Sequence, residues 1–171
     1  VTLEAAPWLL ANEDLLPRRG RALDVACGAG RNALWLAARG LGVLALDRDE
    51  LRIGSLQAAA LARALPIRAE VRDLEAADAV LDAAAFDIVV VVHYLHRPSF
   101  PRLLGALAPG GVLVYETFTA AQASRGRPTN PDFLLEPGEL RERVASLTLL
   151  REREGVYDGR ALASVVARRE P

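Results

Sequence analysis

The sequence predicts a single α/β domain built on a doubly wound, mostly parallel seven-stranded sheet with an antiparallel C-terminal strand. Three observations predict it. Short apolar segments alternate with helix-like patterns from residue 21 to residue 116. The run Phe86-Asp87-Ile88-Val89-Val90-Val91-Val92 is β-branched without polar alternation, as in a strand buried on both faces near the middle of a parallel sheet. The last two strand-like segments, 146–153 and 161–168, are joined only by residues 154–160. A parallel crossover needs roughly a dozen residues, so these two must be antiparallel neighbours.

The elements follow in order. Residues 7–16 carry Trp8, Leu9, Leu10, Leu15 and Leu16 at roughly helical spacing and stop at the turn Pro17-Arg18-Arg19-Gly20. A strand over 21–26 leads to a helix over 32–39 closed by Gly40, and a strand over 43–46 ends at Asp47. A helix over 50–65 is stopped by Pro66, and a strand over 67–71 runs into Arg72-Asp73-Leu74. A short helix is expected over 76–83 before the central strand at 86–92. A helix over 102–107 and the turn Pro109-Gly110-Gly111 deliver the strand over 112–116, and a helix over 137–144 precedes the final pair. Residues 119–136, rich in Gly, Pro, Asn and Arg, form a long connection of the kind that often serves as a lid. The whole chain, 1–171, reads as one domain with residues 1–20 as a helical lead-in.

Composition bounds the function. With 171 residues, 51% hydrophobic and 25% charged, the chain can bury one good core. A net charge of −1 provides no field to attract nucleic acid. All 21 basic residues are Arg, a bias that GC-rich codon usage explains without a functional cluster. Cys27 is the single cysteine, which excludes an intrachain disulfide and fits a reducing cytoplasm. No apolar run reaches the roughly 20 residues that span a bilayer, and the first residues do not resemble a signal peptide. A cytoplasmic location and a small-molecule substrate, with neither membrane nor nucleic acid as partner, are therefore the expectation; the oligomeric state is open.

The chemistry concentrates in Leu23-Asp24-Val25-Ala26-Cys27-Gly28-Ala29-Gly30-Arg31-Asn32. A buried strand ends, two glycines leave the backbone bare, and an apolar helix opens, a place where an adenosine cofactor can touch main chain. Asp47, nineteen positions after Gly28, ends the next strand where a ribose hydroxyl pair finds its carboxylate. Asp47 could instead cap the following helix. Gly28-Ala29-Gly30-Arg31-Asn32-Ala33 also satisfies a loose dinucleotide pattern, so a nicotinamide oxidoreductase competes. Three features oppose it. Asp24 lies inside the first strand and needs a donor, which an amino-acid ammonium group on the ligand would supply. Asp73 adds a second carboxylate at a strand end. The reversed terminal strand has no place in the parallel dinucleotide sheet.

These segments, with Pro109-Gly110-Gly111, resemble the successive motifs of class I S-adenosylmethionine-dependent methyltransferases, a Rossmann-like fold. The Cys-Gly-x-Gly-Arg-Asn form and Pro137-Gly138-Glu139-Leu140 are most similar to the bacterial tellurite-resistance methyltransferase-like branch. The resemblance covers nearly the whole chain and implies roles. Ala26, Cys27, Gly28, Gly30 and Asn32 would form the cofactor loop, with Gly28 and Gly30 giving backbone access to the methionine part. Asp24 would accept from its ammonium and Arg31 would lie near its carboxylate. Asp47 would hold the ribose, Arg48 would pack beside adenine, and Asp73 and Leu74 would contact adenine. Val91 and Val92 would line the pocket near the sulfonium.

On the acceptor side, the family position of His96 makes it the candidate base, with His93 turned into packing. Either histidine could simply hydrogen-bond a loop carbonyl. Tyr94, Arg97, Glu116, Phe118 and Arg127 suggest a small polar or anionic acceptor, a metalloid oxyanion included. Cys27 reads as a packed residue, and two histidines without a cysteine pair do not build a metal site. A catalytically silent cofactor-binding module acting through a partner is the alternative to an enzyme.

Overall fold

The computed structural model describes residues 4–171. Seven strands form one sheet: β1 (Arg21–Val25), β2 (Gly42–Asp47), β3 (Ile67–Val71), β4 (Phe86–Val92), β5 (Leu107–Phe118), β6 (Thr148–Tyr157) and β7 (Arg160–Arg168). Their order is β3-β2-β1-β4-β5-β7-β6. Every pairing from β3 to β5 is parallel, and β7 runs antiparallel between β5 and β6. The chain winds outward from β1 to β3, then returns to β4 on the other side of β1. That reversal opens a crevice at the carboxyl ends of β1 and β4, where open α/β sheets bind ligands. The β6–β7 hairpin turns on Asp158 (φ 50°) and Gly159 (φ 76°), two left-handed residues of the type that matches strand twist.

Helices α1 (Pro7–Ala11), α2 (Arg31–Ala38) and α3 (Glu50–Ala62) cover one face; α4 (Phe100–Ala106) and α5 (Glu139–Arg143) cover the other. Alternate residues of β4 serve the two layers, Ile88 and Val90 packing with Leu36 and Leu56, Val89 and Val91 with Leu103 and Leu140. The non-alternating sequence of this strand is thus explained by burial on both faces.

Three elements differ from the sequence reading. The expected lead-in helix splits, since α1 ends at Ala11 and a 3-10 turn follows at Glu13–Leu15. The buried Asn12 side chain donates to the Trp8 carbonyl at 2.7 Å at that break. The expected helix over 76–83 does not form. Guanidinium groups take carbonyls of the segment instead, Arg102 donating to Ala79 O at 2.5 Å and Arg72 to Val80 O at 3.1 Å, and Arg102 also donates to Leu74 O just before it at 3.0 Å. Alanine-rich propensity favours a helix, yet a segment without an apolar stripe gains little by docking as one. Strand β5 begins at Leu107, so Pro109-Gly110-Gly111 lies within it as an irregularity opposite Phe86 and Ile88. A Cβ on Gly111 would sit 2.8 Å from the carbonyls of Ala108 and Phe86.

Residues 119–136 fold back on themselves. A bridge between Thr119 and Leu135 closes the base, and 3-10 turns occupy Ala120–Ser124 and Pro131–Phe133. Buried Gln122 accepts from the Ala161 N–H at 2.8 Å and donates to the Arg127 carbonyl at 3.1 Å. The loop is thus pinned at its base and by Gln122, with Leu134 and Leu135 buried.

Candidate active site

A cleft of about 360 Å³ opens over the carboxyl ends of β1, β2, β4 and β5. Its lining divides by chemistry. One end presents Asp47, Arg48, Arg52, Arg72, Asp73, Leu74 and Glu75; the other presents His93, Tyr94, Thr117, Phe118, Pro128 and Phe133, with Ala26 from the glycine turn.

The turn after β1 is held to β2. Cys27 N–H donates to Leu46 O at 2.9 Å, and Gly28 N–H donates to Asp47 Oδ2 at 2.8 Å. Asp47 Oδ1 accepts from Asp49 N–H at 2.9 Å. The N-cap of α3 is Asp49, whose carboxylate accepts from Leu51 and Arg52 N–H groups. Asp47 is therefore not the helix cap, and its carboxylate keeps lone pairs for a ligand.

The two glycines differ. A Cβ on Gly28 (φ 56°) would meet only the Arg52 guanidinium, at 3.4 Å. A Cβ on Gly30 (φ 79°) would lie 2.4 Å from Leu56 Cδ1 of α3, so this glycine serves helix packing. Ala26 (φ 51°) and His93 (φ 56°) are non-glycine residues in the left-handed region, and both line the cleft at the ends of adjacent strands.

Several expected cofactor residues sit elsewhere. Asp24 is buried within β1 and its Oδ2 accepts from Ala33 N–H at 2.9 Å, supporting the start of α2 from below. Asn32 is buried too; its Oδ1 accepts from Ala6 N–H at 2.8 Å, tying the lead-in to α2 rather than reaching the cleft. Cys27 is buried, and burial foremost, with Asp24 and Asp47 nearby, pushes its thiol well above the ordinary range, so it is no nucleophile. Val91 is core, Val92 packs against the α1–α3 layer, and Arg31 opens α2 outside the cleft lining. The end of β4 contributes His93, Tyr94 and Leu95 instead.

Burial pushes the Asp24 carboxyl up to about 7, against the opposing Ala33 N–H and Arg31. From the ordinary value of 3.8 up to that point, the folded chain holds more protons than the unfolded chain, so stability falls as pH rises across this window. Asp24→Asn keeps an acceptor and cannot ionise. Its melting temperature should gain on the wild type as pH is raised from about 4 to about 8. A constant offset across that range would contradict the assignment.

The acceptor-side residues also rearrange. His96 lies outside the cleft lining, with Nδ1 2.6 Å from Ser99 Oγ, whereas His93 lines it and stacks on Phe118 with ring centroids 4.7 Å apart. Arg97 is held in a clasp, its Nε and Nη2 on the Glu139 carboxylate at 2.7 and 2.8 Å. This pairing holds Glu139 down to about 2. Glu116 is 3% exposed, accepting from Ser164 Oγ at 2.6 Å and Arg153 Nη2 at 3.0 Å. Neither Arg97 nor Glu116 lines the cleft, and Arg127 lies exposed beside Pro128, which does. Tyr94 and Phe118 are in it. Arg52 and Phe133 are cleft residues that no sequence motif signalled.

Residues 22–111 match the family described as "Methyltransferase domain". The chain is 30% identical over 142 residues to Hemagglutinin 1 of Eikenella corrodens, a match covering 80% of this chain and 46% of that protein, so it spans under half of that relative's length. TehB from Haemophilus influenzae superposes with a TM-score of 0.79 at 22% identity, over 95% of this chain and 61% of TehB. An S-adenosylmethionine-dependent methyltransferase from Mesorhizobium loti superposes at 0.77 and 21% identity, over 98% of this chain and 100% of that one. At such identities these structures establish the shared fold. The family match over residues 22–111 places the chain in the methyltransferase domain family.

Proposed function

We propose that this chain transfers a methyl group from S-adenosylmethionine to a small-molecule acceptor. The adenosine part would lie along Asp47, Asp73 and Leu74, and the methyl-bearing end would point toward His93. The observation that carries the reading is the Asp47 carboxylate, bonded to the bare Gly28 N–H in the same cleft as Asp73 and Leu74. The residues fit the group. Asp47 retains acceptor lone pairs for two hydroxyls, and Leu74 offers an apolar surface for a purine. Asp73 accepts from Glu75 N–H at 2.9 Å and remains exposed enough to accept from an amine. A volume of about 360 Å³ falls within the range of small-ligand sites.

When bound, S-adenosylmethionine supplies an electrophilic methyl on a sulfonium. The protein aligns the acceptor and excludes water, which is the larger part of catalysis for an in-line displacement. The loop 119–136 supports that role, since Pro128 and Phe133 bring it over the cleft. It is expected to act as a wall rather than a wide-swinging lid, given the Gln122 and Arg97 bonds that fix it.

Calorimetry decides the cofactor. S-adenosylhomocysteine is expected to bind with a micromolar dissociation constant and NAD to give no measurable heat. Preferential binding of NAD would return the site to the oxidoreductase reading. S-adenosylhomocysteine binding without methyl transfer to any acceptor would favour a silent binding module.

A further inference from the structure

Phe133 is large, apolar and 50% exposed, yet it stands in the cleft wall on a rigidly held backbone. Arg97 donates to the carbonyls on either side of it, Asp132 O at 3.2 Å and Leu134 O at 2.8 Å, while gripping Glu139. Asn130 accepts from Asp132 N–H at 3.0 Å on the same turn. The ring could gain by collapsing onto apolar neighbours, and these bonds keep it where it is. Across the same end of the cleft, His93 and Phe118 form a second ring surface, their planes inclined by 28°.

We propose that this end of the cleft is the acceptor site and that it takes a planar aromatic compound bearing a hydroxyl. The ring packs against Phe118, His93 and Phe133, and the hydroxyl proton passes to His93. The inference rests on the methyl-donor reading above.

Aromatic rings favour stacked or edge contacts with other rings, and the site offers three. An oxyanion is poorly served here. His93, Thr117, Phe118, Pro128 and Phe133 line this end without a cation, Arg31 and Arg160 act on His93 only from outside the lining, and Arg97, which braces the Phe133 turn, is paired with Glu139. In the transfer, the acceptor O–H bond breaks as His93 takes the proton. An oxygen lone pair forms the new O–C bond to the methyl carbon, and the C–S bonding pair stays on sulfur, which leaves as a neutral thioether. Burial, with Arg160 and Arg31, holds the His93 ring below the ordinary imidazole range against the pull of Glu116, so it is neutral and able to accept.

The test uses the full chain with phenol, catechol, cyclohexanol, selenite and tellurite. Ligand-observed NMR measures binding to the protein with and without S-adenosylhomocysteine, and product release measures turnover. Phenol and catechol are expected to bind and to be methylated, the other three not. Phe133→Ala should raise KM for catechol about fivefold with kcat nearly unchanged. His93→Gln should lower kcat about 100-fold, with a rise in catechol KM no larger than that of Phe133→Ala and with S-adenosylhomocysteine affinity unchanged. Preference for selenite, tellurite or cyclohexanol overturns the proposal, as does an unchanged KM in Phe133→Ala or a protein that binds neither aromatic compound. Failure to bind S-adenosylhomocysteine would count against the donor reading instead, and aromatic binding to the unloaded cleft would still decide the acceptor site.

Discussion

Replacing Asp47 with alanine is expected to weaken S-adenosylhomocysteine binding by about two orders of magnitude, some 3 kcal/mol. Two losses combine. The carboxylate no longer accepts the ligand's ribose hydroxyls, and charge-assisted bonds of this type are about twice as strong as neutral ones. Its two backbone donors, Gly28 N–H at 2.8 Å and Asp49 N–H at 2.9 Å, also lose their partner, so the turn that presents Gly28 loosens. Asp47→Asn retains one oxygen acceptor and should fall between alanine and wild type. Calorimetry on the three proteins checks the order. Equal affinities would show that Asp47 only braces the turn and touches no ligand.

The second large effect concerns stability. Glu116 is buried with its charge met by Arg153 and Ser164, and the Arg153 guanidinium also lies 4.6 Å over Trp8 and 3.9 Å over Tyr157. Arg153→Met should cost about 3 kcal/mol, because it strands a buried carboxylate. The figure sits at the low end for such pairs since Arg153 keeps 25% of its side chain in water. Adding Glu116→Gln removes the stranded charge and should restore most of the loss. Denaturant unfolding of the single and double variants measures both. A double variant as unstable as the single one would assign the cost to the lost stacking on Trp8 and Tyr157 rather than to the charge.

What the sequence made legible and what it hid divide along physical lines. The parallel core, the reversed strand and the glycine turn were legible because each follows from a local pattern: unbroken β-branching, a connection too short to cross over, and glycines at a strand end. The absent helix over 76–83 was illegible because alanine propensity is local, whereas the competing donors, Arg72 and Arg102, arrive from elsewhere in the chain. Asp24 reads as a ligand contact because a buried polar residue needs a partner, and Asn32 because the resemblance implies it. That requirement was met within the protein, by Ala33 and Ala6 N–H groups. Arg97 and Glu116 were misplaced for the same reason: a charged residue near a strand end is equally suited to a clasp and to a site. His93 and His96 are three positions apart, and the left-handed turn at His93 decides which ring lines the cleft. No composition rule predicts a positive φ at a histidine. Phe133 carried no motif at all; it reaches the cleft because Thr119 and Leu135 close its loop.

The cleft is expected to hold S-adenosylmethionine with the adenosine at the Asp47–Asp73 end and the sulfonium toward His93. A crystal structure of the full chain with S-adenosylhomocysteine tests it most directly. The predicted result has both ribose hydroxyls on Asp47, adenine against Leu74 and Asp73, and sulfur at the His93–Phe118 end. A ligand bound in the opposite direction, with its sulfur at Asp73, or bound outside the cleft, would contradict the account.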